Sequence, residues 1–314
     1  MSAQPPSRHY ELRLPGLFRL DLTVHALRRL PTNVVDVLTS DNRYVRAFAG
    51  PHENTVISVK QSGARKLRVT IDGAGDELEV LETVRRMLGL DRQLMPFNRA
   101  AARIPWLRAL AIRMRGVKPP RYPTLWEAFV NAIAFQQVSL QAASAIVGRL
   151  VAALQPAIRH HGLALYPFPR VEQFLGAGDT ALRAAGLSGS KIATLRRAGD
   201  AIVDGTLSEG VLEERPTPEC MAMLTGIKGV GPWTATVVML RGLGRLDVFP
   251  LNDTSVVRNL ALLAGPTAVD LSQALARLRP QQGMLYYHLL LARLETRGAL
   301  ARFTPPAAPS LPHG

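Results

Sequence analysis

At 314 residues and 47% hydrophobic, the chain has material for two or three compact units with buried cores. Its single cysteine, Cys220, excludes an internal disulfide, a four-cysteine zinc site and an iron–sulfur cluster held by four cysteines of this chain. No apolar run approaches the ~20 residues that cross a bilayer. Lys and Arg number 38 against 24 Asp and Glu, a net charge of +14, which nominates a polyanion, nucleic acid first, as the partner. Lys occurs only at 60, 66, 118, 191 and 228. The resulting Arg excess suits bidentate phosphate contacts, although Arg scattered over the surface by a biased composition gives the same count. The expectation is a soluble, cytoplasmic, monomeric protein with no cofactor and a disordered tail over 304–314.

The first hundred residues alternate with period two at Tyr44–Phe48, Val56–Lys60 and Leu67–Ile71, the mark of antiparallel strands. Gln61–Ala64 supplies a turn, and Leu78, Leu81, Val84, Met87 and Leu88 then form the apolar stripe of a helix stopped near Gly89. A sheet-plus-helix domain is expected over 1–115 and a helical region over 116–303. After the basic link Lys118–Pro123, Thr124 with Glu127 makes a capping box for a helix carrying Trp126, Phe129, Ile133 and Phe135. Ser139 caps the next helix, leaving Gln136, Gln137 and Val138 as a tight tip. The stretch from 155 to 170, with Pro156, His160, His161, Pro167 and Pro169, reads as a long surface connection. Its two histidines have no further ligand at helical spacing, so no metal is assigned to them.

The informative stretch is 217–243. Thr217 and Pro218 open one short helix, and Gly231 and Pro232 open the next with the same cap-and-first-turn grammar. Gly226, Gly229 and Gly231 let the backbone between them turn sharply and come close to something bulky. Peptide amides there, added to the positive end of the second helix, make an anion site suited to a DNA phosphate, with Lys228 adding a full charge. Downstream, Pro250 disfavours helix before it, and Asp253 opens a helix whose apolar face is read as Val256, Val257, Leu260 and Leu263. Taken alone, Asp253 is an ordinary N-cap.

The ordered series is a Gly-rich hairpin from Gly226 to Gly231, Trp233-Thr234-Ala235, Asp247-Val248-Phe249, and Asp253. It resembles the helix-hairpin-helix glycosylase superfamily, and within it the 3-methyladenine-DNA glycosylase II family. The resemblance extends to Gln136–Ser139, to Gly186-Leu187-Ser188 through Lys191, and to Gly205-Thr206-Leu207, and more weakly to the N-terminal sheet. It implies an α+β protein, an antiparallel sheet-plus-helix domain followed by a helical glycosylase region. The implied activity is monofunctional hydrolysis of the N-glycosidic bond of alkylated bases in double-stranded DNA, for base excision repair.

On that resemblance Asp253 is the catalytic carboxylate. It stabilises a sugar turning cationic or orients the attacking water, and the sequence does not separate these roles. Gln137 is the wedge that fills the gap left by a flipped nucleotide, with Gln136 and Val138 beside it in the minor groove. Gly226, Lys228, Gly229, Gly231 and Thr234 hold the backbone. Lyase members carry a Lys where this chain has Trp233, which argues for hydrolysis without strand cutting; Trp233 lines the pocket or packs in the core. Val237 and Gln281 stand where aromatic residues are expected and Gln282 near an expected Arg, while Tyr286 lies close by, so stacking on an electron-poor base is expected to be weaker than in the family. A hairpin DNA-binding protein without catalysis and a glycosylase for another lesion class are the competing readings. Asp253 weighs against the first, Trp233 against a lyase.

Overall fold

The computed structural model describes residues 7–50, 54–251, 253–264 and 269–300; the tail expected over 304–314 lies outside them. The elements follow in chain order as β1 (Arg8–Arg13), α1 (Leu20–Arg28), β2 (Val37–Leu38), β3 (Tyr44–Phe48), β4 (Thr55–Gly63), β5 (Lys66–Asp72), α2 (Glu77–Met87), α3 (Met95–Ala101) and α4 (Pro105–Arg113). Then come α5 (Leu125–Ala134), α6 (Leu140–Leu154), β6 (Ile158–His160), β7 (Leu163–Leu165), α7 (Val171–Leu175), α8 (Asp179–Ala184) and α9 (Gly189–Val203). The last six are α10 (Glu209–Glu213), α11 (Thr217–Thr225), α12 (Pro232–Arg241), α13 (Thr254–Ala264), α14 (Leu271–Leu278) and α15 (Gly283–Thr296).

Alternation in the first hundred residues builds an antiparallel sheet of order β1-β5-β4-β3-β2. Its inward residues, among them Tyr44, Ile57, Val59, Leu67, Val69 and Ile71, are sealed from solvent, as period-two patterning requires when one face is buried. In α2 the buried face is Val80, Val84 and Met87, continued by Leu88. Leu78, read as part of that stripe, is exposed. One continuous core runs from Leu12 in the sheet to Leu294 in α15. The guanidinium of Arg241 on α12 donates to the carbonyls of Ala26 and Leu27 on α1.

Thr124 caps α5 as expected, its Oγ1 accepting from the Glu127 amide at 3.1 Å. The Glu127 side chain does not complete the box. It pairs with fully buried Arg46 of β3, which also holds Asp36 at 2.8 Å, and Tyr44 donates to the same Asp36. A buried cation between two carboxylates is costly to break, since removing one partner strands the other charge; this cluster ties sheet to helix. Within the stretch read as a plain connection, β6 and β7 form a short hairpin whose Leu165 joins Val45, Ala47 and Val56 in a second small core. No helix among the described residues is long and apolar enough to cross a membrane.

Candidate active site

Helices α11 and α12 are joined by the hairpin 226–231. Its sharp point is Gly229, with φ +99°, where a Cβ would stand 2.0 Å from Thr194 Oγ1 of α9. The something bulky that this glycine admits is therefore a neighbouring helix. Gly231 has no atom within 4 Å of where its Cβ would be, and Gly226, Lys228, Gly229 and Gly231 are all exposed. Arg197 of α9 braces the loop, donating to the Lys228 carbonyl at 3.2 Å. The amides of Lys228, Gly229, Gly231, Trp233 and Thr234 make no hydrogen bond to another described residue. They are the free donors that a helix N-terminus leaves, and they favour an anion.

The tip after α5 sits against this hairpin. Gln136 Nε2 donates to Thr234 Oγ1 at 2.8 Å and to the Gly229 carbonyl at 3.2 Å. Lys191 Nζ donates to the carbonyls of Ala134 and Gln136, each at 3.0 Å. Lys191 thereby satisfies the end of α5, and burial lowers its pKa. Gln136 thus works as a strut between tip and hairpin, and Thr234, whose side chain is buried, receives that strut. Gln137 is exposed and left-handed, φ 56°, and Val138 beside it is exposed too; the tip projects these two outward.

Asp253 lies at the start of α13, its carbonyl accepting from the amides of Val256 and Val257. It is 9% exposed. Trp233, one residue past the start of α12, donates its indole Nε1 to Asp253 Oδ2 at 3.1 Å. Of the apolar face read for α13, Val256 and Leu260 are buried, whereas Val257 is 63% exposed, because the helix turns it away from α15.

The remaining pocket candidates are dispersed. Val237 is a core residue, 1% exposed. Gln281 closes the start of α3, accepting from the Phe97 amide at 3.1 Å and donating to the Gln93 carbonyl at 2.7 Å. Gln282 reaches the Asp247 carbonyl. Tyr286 is nearly buried, and its hydroxyl accepts from Arg29 at 3.4 Å. Arg29 went unread in the sequence, where nothing marked α1. Its guanidinium lies 4.1 Å from the centroid of the Phe135 ring next to the tip, and its Nη1 is buried with no hydrogen-bond partner among the described residues. A concavity of about 390 Å³ is lined by β3, the start of α5 and the loops around α7 and α10, and Asp253 is not among its walls.

Outward hairpin amides, a strutted tip and a carboxylate held by an indole from the second hairpin helix define a helix-hairpin-helix protein with one central acid. Residues 130–279 match the family described as HhH-GPD superfamily base excision DNA repair protein, and that part of the chain belongs to the superfamily. The chain is 31% identical over 256 residues to the probable bifunctional transcriptional activator/DNA repair enzyme AlkA of Mycobacterium tuberculosis (strain ATCC 25618 / H37Rv), covering 79% of this chain and 50% of that protein. It spans about half the length of that relative. To DNA-3-methyladenine glycosylase 2 of Escherichia coli (strain K12) it is 26% identical over 254 residues, 80% of this chain and 86% of the relative. The structure of the 3-methyladenine DNA-glycosylase from Archaeoglobus fulgidus superposes with a TM-score of 0.76 at 25% identity, over 93% of this chain and all of the other.

Proposed function

We propose that the protein is a monofunctional DNA glycosylase that hydrolyses the N-glycosidic bond of alkylated bases in duplex DNA. The observation that carries the reading is the bond from Trp233 to Asp253 beside the hairpin. It fixes a carboxylate next to a backbone-binding element, with an indole where a lyase would need an amine. The names of the relatives support alkylated bases as the substrate class.

A base within a duplex is out of reach, so the nucleotide must leave the stack. The unpaired amides of the hairpin, with Lys228, hold the phosphates, and Gln137 with Val138 fills the space vacated. Departure of the base leaves positive charge on the sugar, and Asp253 faces that charge with its anion. Of the five lysines, Lys191 is committed to two carbonyls, and Trp233 has no amine to attack the sugar. The product is an abasic site in an unbroken strand. The deciding experiment incubates methylated duplex DNA with wild type and Asp253→Asn and follows free bases and strand breaks. Release by wild type alone, with breaks only after alkali, is expected; equal release by the variant refutes the assignment.

A further inference from the structure

We infer that Asp72, His160 and His161 form a binding site for one divalent transition-metal ion of the zinc class, clipping the β6–β7 hairpin to the end of β5. The histidine pair lacked a partner in the sequence because the third ligand lies in the sheet, far back along the chain. In the folded protein one potential ligand atom from each of the three residues lies within 4.8 Å of the other two.

The turn that creates the cluster is unusual in composition. His160 pairs with Leu163, leaving His161 and Gly162 as a two-residue hairpin loop with φ of 46° and 79°. A loop positive at both residues favours Asn, Asp or Gly at the first, and His is among the other residues that adopt this region. In a strand, consecutive side chains face opposite sides. The left-handed turn at His161 cancels that alternation and brings both imidazoles to one side, with ring centroids 4.3 Å apart.

The separations suit a metal. Zinc bound tetrahedrally at about 2.0–2.1 Å sets its ligand atoms roughly 3.3 Å apart, and His160 Nε2 stands 3.3 Å from Asp72 Oδ2. His161 is exposed and free to rotate its ring to complete the set. Ser7 donates to the second oxygen of Asp72, an outer contact of the kind that orients a ligating carboxylate. Two imidazoles and one carboxylate are a donor set for zinc rather than for calcium or magnesium, and three protein ligands leave a position for water. None of β5, β6 and β7 contributes a residue to the Asp253 site, so the ion would act on the stability of the sheet.

The test uses the full, tag-free chain stripped with chelator and titrated with zinc chloride by calorimetry, with thermal unfolding in parallel. One ion per chain and a raised unfolding midpoint are expected. In His161→Asn, which keeps a residue suited to the turn while deleting the ligand, and in Asp72→Asn, affinity should fall at least tenfold and the midpoint shift vanish. Absence of zinc binding by the wild-type chain overturns the inference, as does undiminished binding by a folded His161→Asn.

Discussion

The indole of Trp233 and the carboxylate of Asp253 are locked together by a 3.1 Å hydrogen bond across two helices. A bond to an ionised group is worth about 1.5–3 kcal/mol, and each 1.4 kcal/mol is tenfold in a rate or equilibrium. Trp233→Phe keeps an aromatic ring and deletes the donor. Its single-turnover release of bases from methylated DNA should fall by about tenfold, with duplex affinity little changed. A rate equal to wild type would show that the bond does not position the carboxylate.

Gly229 stands where any side chain is refused twice, by its φ of +99° and by Thr194 Oγ1 at 2.0 Å from a built Cβ. A non-glycine residue in that region costs roughly 1–2 kcal/mol before any clash. Gly229→Ala should lower the urea midpoint and weaken DNA binding together. Adding Thr194→Ala should return part of the loss by removing the clash while leaving the backbone strain. No recovery in the double variant would mean that the contact with α9 is not what limits this position.

Lys228 is exposed at the hairpin, and among the described residues only its carbonyl is engaged, by Arg197. A cation that meets phosphate and no base edge binds every sequence alike and contributes about one released counterion. Lys228→Ala should weaken binding to damaged and undamaged duplexes by the same factor and reduce the slope of log K against log salt by about one. A loss confined to damaged DNA would place Lys228 at the lesion instead.

Period-two alternation marked β3, β4 and β5, and cap residues marked α5 and α6, because those signals are local. The hairpin glycines and Asp253 were legible for the same reason. The first helix and its Arg29 were not, since α1 begins without a side-chain cap and its basic last turn looks like surface. Glu127 carried a capping signature, yet its carboxylate answers Arg46, 81 residues away. Gln136 was legible as part of the tip but not as its strut, and Gln281 was read as pocket although it closes α3. These are tertiary partnerships, which no spacing along the chain encodes.

His288 on α15 is 1% exposed, packed 4.8 Å from the Phe97 ring, with Nδ1 2.9 Å from the Met284 carbonyl. Burial lowers its pKa from 6.5 to about 4, against the smaller pull of that carbonyl. The unfolded chain therefore takes up a proton near pH 6.5 that the folded chain refuses until about pH 4. Stability is complete above the unfolded value and lost as pH falls through the interval between the two. At 1.36 kcal/mol per unit the loss reaches about 3 kcal/mol by pH 4. His25 is shifted in the same direction to about 4, again by burial, so the two act together. Urea midpoints measured from pH 7.5 downward should hold steady and then decline below about pH 6.5. His288→Leu cannot titrate, and its decline should be shallower by about half. An identical pH profile for the variant would mean that His288 is protonated inside the fold and contributes nothing to acid sensitivity.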